Sequence, residues 1–168
     1  MQHNDVITLY EYNYWANDRI LAASALLSDE QYGVPVAPNP GYGSLRSILV
    51  HMLDTERGWR MLCQHQRPLA DLSEADVPTH AHLLQLWHTE KATMRAYLGQ
   101  LHGDMLHGIL HHTTDAGEAR ERVLWHVLFH VVNHGTQHRS EAAAILTSHG
   151  VSPGDLDFTL FLSEQNEL

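Results

Sequence analysis

Residues 124–146 read LWHVLFHVVNHGTQHRSEAAAIL and carry a histidine at every fourth position, at His126, His130, His134 and His138. Each residue of a helix advances by about 100 degrees. With the third histidine taken as zero, His138 and His130 lie roughly 40 degrees to either side and His126 lies at roughly −80 degrees. The apolar residues of the stretch fall between roughly +20 and +80 degrees; they are Leu124, Val127, Val131, Ala142 and Ile145. The pattern predicts a long helix that turns His138 inward, places His134 at the edge of the buried face and leaves His126 in solvent.

Two inward imidazoles one helical turn apart can bind one metal ion. His51 borders the apolar stripe of an earlier predicted helix, so a bundle that pairs the two helices could supply a third imidazole. Three neutral imidazoles suit zinc or another late first-row ion and leave a position open for water or substrate. Spacing alone also allows a second interpretation, because the chain has 15 histidines and an inward histidine can be satisfied by hydrogen bonds.

Several other metal sites lack their signatures in this sequence. No His-Glu-x-x-His motif is present, which argues against a zincin protease. No Glu-x-x-His motif is present, which argues against a carboxylate-rich di-iron bundle. Cys63 is the only cysteine, so a zinc finger is excluded.

The composition predicts one folded domain over residues 1–168, since 43% of the residues are hydrophobic and 18% are charged. The net charge of −10 argues against nucleic acid as a partner, because phosphate binding requires clustered Lys and Arg. The single cysteine fits a reducing compartment, and the N-terminal residues lack the pattern of a signal peptide or a membrane span. We therefore expect a cytoplasmic protein that does not bind membranes.

Hydrophobic periodicity predicts an all-α protein, a four-helix bundle with a short β-hairpin or extended insertion before the fourth helix and a short C-terminal helix. A segment rich in proline and glycine follows the first helix and predicts a long connection. Ser152, Pro153 and Asp155 are typical of a helix start and predict that the terminal helix opens there. The predicted long helices are Asn4–Leu27, Ser44–Gln66, Thr79–His102 and Arg120–Ser148.

Four segments of the chain together resemble the DinB family, and the resemblance spans nearly the whole sequence. YEYNYWANDRIL is similar to the family's opening motif, and SLRSILVHMLDTERGW resembles its helix-two histidine segment. LWHVLFHVVNHGTQHRSEAAAIL resembles its fourth helix, and VSPGDLDFTLFL matches its usual ending. Their order and spacing identify the chain as a member of this family.

The resemblance implies a helical bundle, commonly a homodimer, with a divalent metal, zinc or nickel, held by one histidine of helix two and two of helix four. Position by position, these ligands are His51, His134 and His138. Where the family often has Gly-Gln after its His-Arg, this chain has Ser140 and Glu141. We hypothesise that Glu141 orients a ligand histidine as an outer carboxylate; the alternative is a solvated residue at the edge of the helix.

The resemblance leaves two main functions open. Related bundles include S-transferases that depend on a low-molecular-weight thiol and a thiol-dependent isomerase, which implies a metal-dependent hydrolase or thiol S-transferase with an open three-histidine site and a small-molecule substrate. The alternative is a non-catalytic, stress-related protein whose metal organises the bundle or its dimer. A histidine-rich metal buffer is a third possibility. The family name refers to induction by DNA damage and implies no contact with DNA.

Other side chains allow two interpretations each. Arg19 could hold a ligand carboxylate or phosphate, or form an ion pair with a buried acid. Trp15, Trp59 and Trp87 could line a pocket or belong to the core, and Trp59, two turns after His51, is the best candidate for a pocket. A lone helical cysteine is usually buried and inert, which is what we expect of Cys63. A second metal patch or an ordinary exposed hairpin edge would account for His107, His111 and His112.

Overall fold

The computed structural model describes residues 1–35, 43–65, 70–114 and 116–165. Within these residues the chain forms six α-helices, two short 3₁₀ helices and one two-stranded antiparallel hairpin. The helices are α1 (His3–Ser24), α2 (Asp29–Gly33), α3 (Leu45–His65), α4 (His80–Leu98), α5 (Leu124–Ser148) and α6 (Phe158–Glu164). The strands are β1 (Ile109–Thr113) and β2 (Ala119–Val123), and the 3₁₀ helices span Glu74–Asp76 and Gly103–His107. The predicted all-α fold with a hairpin before the last long helix is confirmed.

Helices α1, α3, α4 and α5 form the bundle, and α5 packs along both α1 and α3. Local sequence sets several helix starts: the Thr79 side chain accepts a hydrogen bond from the backbone N–H of His82 at the start of α4, as an N-cap does. The predicted bounds of the first three long helices agree with the structure to within a few residues, although Gln66, the predicted end of the second, lies outside the described residues. None of the helices in the described residues is long and apolar enough to cross a membrane.

Two helix starts differ from the prediction. Helix α5 begins at Leu124 and not at Arg120, because residues 119–123 pair with β1 as an antiparallel strand. Helix α6 begins at Phe158 with Asp157 as its cap, so the start predicted at Ser152 was wrong; Gly154, at a φ of +80°, interrupts that turn.

The long connection after α1 contains a short helix that the sequence pattern did not predict. Helix α2 is held by Ser28, whose side chain accepts a hydrogen bond from the backbone N–H of Gln31. The proline-rich part of this connection, residues 36–42, lies outside the described residues.

The bundle core has an apolar cluster toward each end and buried polar residues at the boundary between them. One cluster contains Leu49, Leu53 and Leu146, and the other contains Tyr10 and Leu128. The polar residues at mid-height are each 8% exposed or less; we call Asn13, Asn17, Glu56, Arg60, Glu90 and Arg139 the polar layer. Buried polar groups need hydrogen-bond partners, so this layer constrains how the four long helices face each other.

The hairpin leads directly into α5. Its register pairs Ile109 with Val123 and Thr113 with Ala119, and Gly117 closes the turn at a φ of +81°, a region that favours glycine. The backbone N–H of Leu124 donates to the carbonyl of Gly108 at 2.9 Å. The hairpin is thereby anchored at the start of α5, on the side that carries the histidine ladder.

Candidate metal centre

Three histidines from two helices converge between α3 and α5. The Nε2 atom of His134 lies 3.1 Å from Nε2 of His51 and 3.1 Å from Nε2 of His138. One ligand atom of each of the three residues lies within 4.8 Å of the other two. His138 is buried, and His51 and His134 are partly buried. In the described residues this is the single group of three or more His, Cys, Asp or Glu side chains close enough to hold one metal ion.

The spacing of these nitrogen atoms fits a shared ion. Zinc–imidazole bonds are about 2.0–2.1 Å long, so two ligands at the tetrahedral angle would have nitrogens about 3.3 Å apart, and two at a right angle about 2.9 Å apart. The separation of 3.1 Å falls between these values. Three histidines that could hold a metal ion therefore lie in suitable geometry, and their donor atoms do not by themselves distinguish zinc from nickel.

Glu141 fixes the ring of the most buried histidine. Its Oε2 lies 2.8 Å from Nδ1 of His138. A carboxylate at Nδ1 selects the tautomer whose proton is on Nδ1 and leaves the Nε2 lone pair directed at the cluster. The contact expected of Glu141 with a ligand histidine is thus present, to His138 one turn before it along α5.

Burial favours the neutral, metal-binding form of His51 and His134. Loss of solvent, together with the neighbouring imidazoles, lowers the pKa of His134 to about 4. Loss of solvent also lowers the pKa of His51. A metal ligand must be a neutral imidazole, so at neutral pH these two side chains need not lose a proton before they bind an ion.

The other two histidines of the ladder lie outside the cluster. His130 and His126 are exposed, and the His130 ring centroid lies 5.7 Å from that of His134. The helical positions calculated from the sequence therefore predicted correctly which histidines of α5 face inward.

The two acids of α3 that follow His51 have partners other than the histidine cluster. Asp54 accepts a hydrogen bond from the backbone N–H of Leu72 at 2.7 Å, and Glu56 is buried in the polar layer.

The polar layer lies directly behind the histidine cluster, and sequence reasoning missed its central residue. Arg139, 2% exposed, donates through Nη1 to the side-chain oxygens of Asn13 and Asn17, and through Nη2 to Thr136 Oγ1 at 2.8 Å. A side chain at Gly135 would collide with this network, because its Cβ would lie 2.8 Å from Arg139 Nη1 and 3.0 Å from Asn13 Oδ1. Asparagines four residues apart on α1 were the available signal, since polar residues on an inward face require partners.

Glu56 joins the polar layer from α3. It accepts hydrogen bonds from Asn13 Nδ2 and from the Tyr14 hydroxyl, each at 3.1 Å. Burial, with the nearby Glu90 carboxylate as a second cause, raises the pKa of Glu56 to about 7. Its neighbour Arg60 is bound by Glu90 through two hydrogen bonds.

The remaining predicted residues are placed as follows. Arg19 forms an ion pair, but its partner Glu164 is exposed, so the predicted pairing with a buried acid was wrong. Trp87 is a core residue, whereas Trp59 lies on the side of α3 that faces His130. Burial raises the pKa of Cys63 to about 12, as expected of an inert thiol. His107, His111 and His112 form no metal group in the described part of the chain. His111 and His112 lie on β1, and His107 ends the preceding 3₁₀ helix.

Comparison with known proteins agrees with the motifs of the sequence. The model of the DinB family matches residues 1–168. Protein DinB of Bacillus subtilis (strain 168) is 26% identical over 163 residues, which cover 92% of this chain and 91% of that protein. The helical bundle is the fold that the family resemblance implied, and the hairpin before the histidine-bearing helix is the one that the residue pattern predicted. The chain belongs to the DinB family.

Proposed function

We propose that this protein is a divalent-metal-dependent enzyme, a hydrolase or a thiol S-transferase, in which His51, His134 and His138 hold one zinc or nickel ion. The observation that supports the proposal most directly is the convergence of the three Nε2 atoms, with 3.1 Å between His134 and each of the other two. A divalent metal bound there would lower the pKa of a water or thiol ligand and supply a nucleophile at neutral pH.

The protein's own residues would hold the ion and leave room for a small molecule. Three neutral imidazoles are the donor set of a catalytic zinc site, which keeps one position open. Glu141 holds the His138 ring in place, and the partial exposure of His51 and His134 leaves the cluster accessible to a substrate. The substrate is a small molecule. If the protein is a thiol S-transferase, a low-molecular-weight thiol is its second substrate.

The competing function is a non-catalytic, stress-related protein whose metal organises the bundle or its dimer. A fourth protein ligand or a sealed site would favour it, because structural zinc sites are closed. Neither feature is present in the described residues, where the group has three members and two are partly exposed. The enzyme is therefore the better supported proposal.

The first experiment is elemental analysis of protein purified without a nickel column. We expect about one zinc or nickel per chain in the wild type, and loss of the metal in His134→Ala and His138→Ala. His126→Ala is the matched control, since it removes an exposed histidine from the same helix and should retain the metal. A folded but metal-free wild type would overturn the proposal. If the wild type does contain the metal, the metal-loaded protein is next screened for thiol transfer and ester hydrolysis.

We further propose that the chain works as a cytoplasmic homodimer. The homodimer is supported by the family, and the compartment by a composition with a single cysteine. Light scattering on purified protein tests the oligomeric state: a monomer at micromolar concentration would contradict it.

A further inference from the structure

One partly exposed face of α3 leads away from the histidine cluster, beside α5. On a helical wheel of α3 with His51 at zero, Thr55 lies at roughly +40 degrees, Gly58 at roughly −20 and Leu62 at roughly +20. All three are partly exposed. This face, which together with the adjoining face of α5 we call the α3–α5 groove, therefore extends from His51 for about three helical turns.

Aromatic rings form a continuous wall along this groove. From His134, the next ring is His130, with 5.7 Å between centroids, and the Trp59 ring is 5.7 Å beyond that. His112 of β1 continues the series, 5.5 Å from Trp59 at a steep interplanar angle of 77°. The wall thus connects the candidate metal centre to the hairpin, and each of its four residues is partly or fully exposed.

Gly58 leaves space in the middle of the groove. A glycine inside a helix is unfavourable relative to alanine, so its presence is usually explained by close packing. Here packing provides no explanation: a Cβ built at Gly58 has no neighbouring atom within 4 Å. The absent side chain leaves open volume beside Trp59, between the histidine cluster and Leu62.

The hairpin end of the groove has an unpaired polar atom and a cavity. Nε2 of His112 is buried and has no hydrogen-bond partner among the described residues, which is uncommon for a polar atom of a folded protein. Beside it lies an open cavity of about 510 Å³, lined by Leu62, His112 and Arg120 together with other hairpin residues. This volume is large enough for a small organic group.

We propose that the α3–α5 groove is the substrate-binding site of this protein, and this inference rests on the proposed metal-dependent function. The substrate has a metal-binding head at the histidine cluster and a flat aromatic body against Trp59 in the space left by Gly58. A polar tail, such as a carboxylate, accepts a hydrogen bond from His112 Nε2. Trp59 and His112 are positioning residues, which select the substrate and do not touch the reacting atoms.

Hydroxamate probes measure separately how much the metal-binding head and the aromatic body of the substrate contribute to binding affinity. The zinc-loaded full chain is titrated by calorimetry with acetohydroxamate, which reaches only the metal, and with phenyl-terminated hydroxamates that carry one to four methylene groups. We expect one chain length to bind about tenfold more tightly than acetohydroxamate, the gain typical of one well-packed ring. Trp59→Ala should lose this gain while acetohydroxamate binding stays unchanged.

Substitutions at Gly58 test the groove by filling it, without removing any side chain that contacts the substrate. Gly58→Leu should fill the groove and abolish the gain from the phenyl group, whereas Gly58→Ala, the matched control, should retain most of it. A para-carboxylate on the best probe should add further affinity in the wild type and none in His112→Leu. If the carboxylate adds nothing in the wild type, His112 is not a substrate contact.

The outcomes distinguish this inference from the function on which it rests. If acetohydroxamate fails to bind, or binds equally well to His134→Ala, the metal-dependent function fails and the substrate site fails with it. If acetohydroxamate binds through His134 but no phenyl tail adds affinity at any length, the metal centre stands and the groove is refuted. A gain that survives in both Trp59→Ala and Gly58→Leu would place the aromatic body elsewhere and also refute it.

Discussion

Two glycines inside the bundle helices should respond in opposite ways to the same substitution. Gly58 of α3 has open space where a Cβ would lie, whereas a Cβ at Gly135 of α5 would meet Arg139 Nη1 at 2.8 Å and Asn13 Oδ1 at 3.0 Å. Replacing glycine by alanine inside a helix stabilises it by about 0.8–1.0 kcal/mol. We therefore expect Gly58→Ala to raise the free energy of unfolding by about 1 kcal/mol.

At Gly135 the stability gained by replacing glycine with alanine is smaller than the stability lost when the hydrogen bonds of the polar layer are disturbed. Arg139 is 2% exposed, so its guanidinium cannot swing into solvent to avoid the new methyl group. Displacing Nη1 weakens its hydrogen bonds to Asn13 and Asn17, each worth about 1.5 kcal/mol or more because the donor is charged. Subtracting the alanine gain of about 1 kcal/mol from a loss of about 3 kcal/mol leaves Gly135→Ala about 2 kcal/mol less stable than wild type.

Urea unfolding of the two variants tests this reasoning, and a chelator in every sample prevents bound metal from adding to the stability of the folded state. The two alanine variants should differ by about 3 kcal/mol, which for a chain of this size corresponds to about 6–12 °C in Tm. Circular dichroism confirms that both remain helical. If Gly135→Ala were as stable as Gly58→Ala, the contact of Arg139 with Asn13 and Asn17 would not be a stabilising feature of the core.

Three further predictions follow from individual contacts. Glu141→Ala removes the hydrogen bond to His138 and should weaken zinc binding about 10–100-fold; unchanged affinity in a chelator competition would exclude an orienting role. Burial raises the pKa of Glu56 to about 7 from its ordinary value near 4.5, so the folded state retains a proton that the unfolded chain loses, and stability falls as pH rises through this interval. Glu56→Gln should lack that decline in chelator-treated protein, and parallel pH profiles for variant and wild type would contradict the assignment. Burial also raises the pKa of Cys63 to about 12, so at pH 8 the native thiol should react with a disulfide reagent at least tenfold more slowly than the urea-unfolded chain; equal rates would show that Cys63 is accessible.

Helical periodicity was sufficient to predict most of the fold. The four long helices bury one stripe each, and a stripe repeats in the sequence at the spacing of the helix. The same argument separated His138 and His134 from His126, because a position on a wheel depends only on residue number. It could not bring His51 to those two histidines, since the pairing of α3 with α5 is a tertiary contact; the family resemblance supplied that step.

Contacts between distant segments account for what the sequence did not predict. Arg139 was not recognised, because its partners Asn13 and Asn17 are more than 120 residues away in the chain. Helix α6 begins later than predicted because Gly154 adopts a positive φ, and Asp157 provides the cap instead. A cap motif such as Ser-Pro-Gly-Asp describes a permitted helix start, and the packing of the following residues decides whether it is used.

The position of Arg139 next to His138 connects the stability of the core to the geometry of the candidate metal centre. Neighbouring residues on a helix point about 100 degrees apart, so when the Arg139 side chain is fixed toward α1 by Asn13 and Asn17, the rotation of α5 about its axis is also fixed. That rotation directs His138, and His134 one turn before it, toward His51 on α3. Apolar side chains would tolerate small rotations with little change in buried area, whereas hydrogen bonds have narrow limits of distance and angle. The polar layer thus provides the orientation that a three-histidine site requires, because donor atoms 3.1 Å apart can share an ion only if both helices keep their rotation.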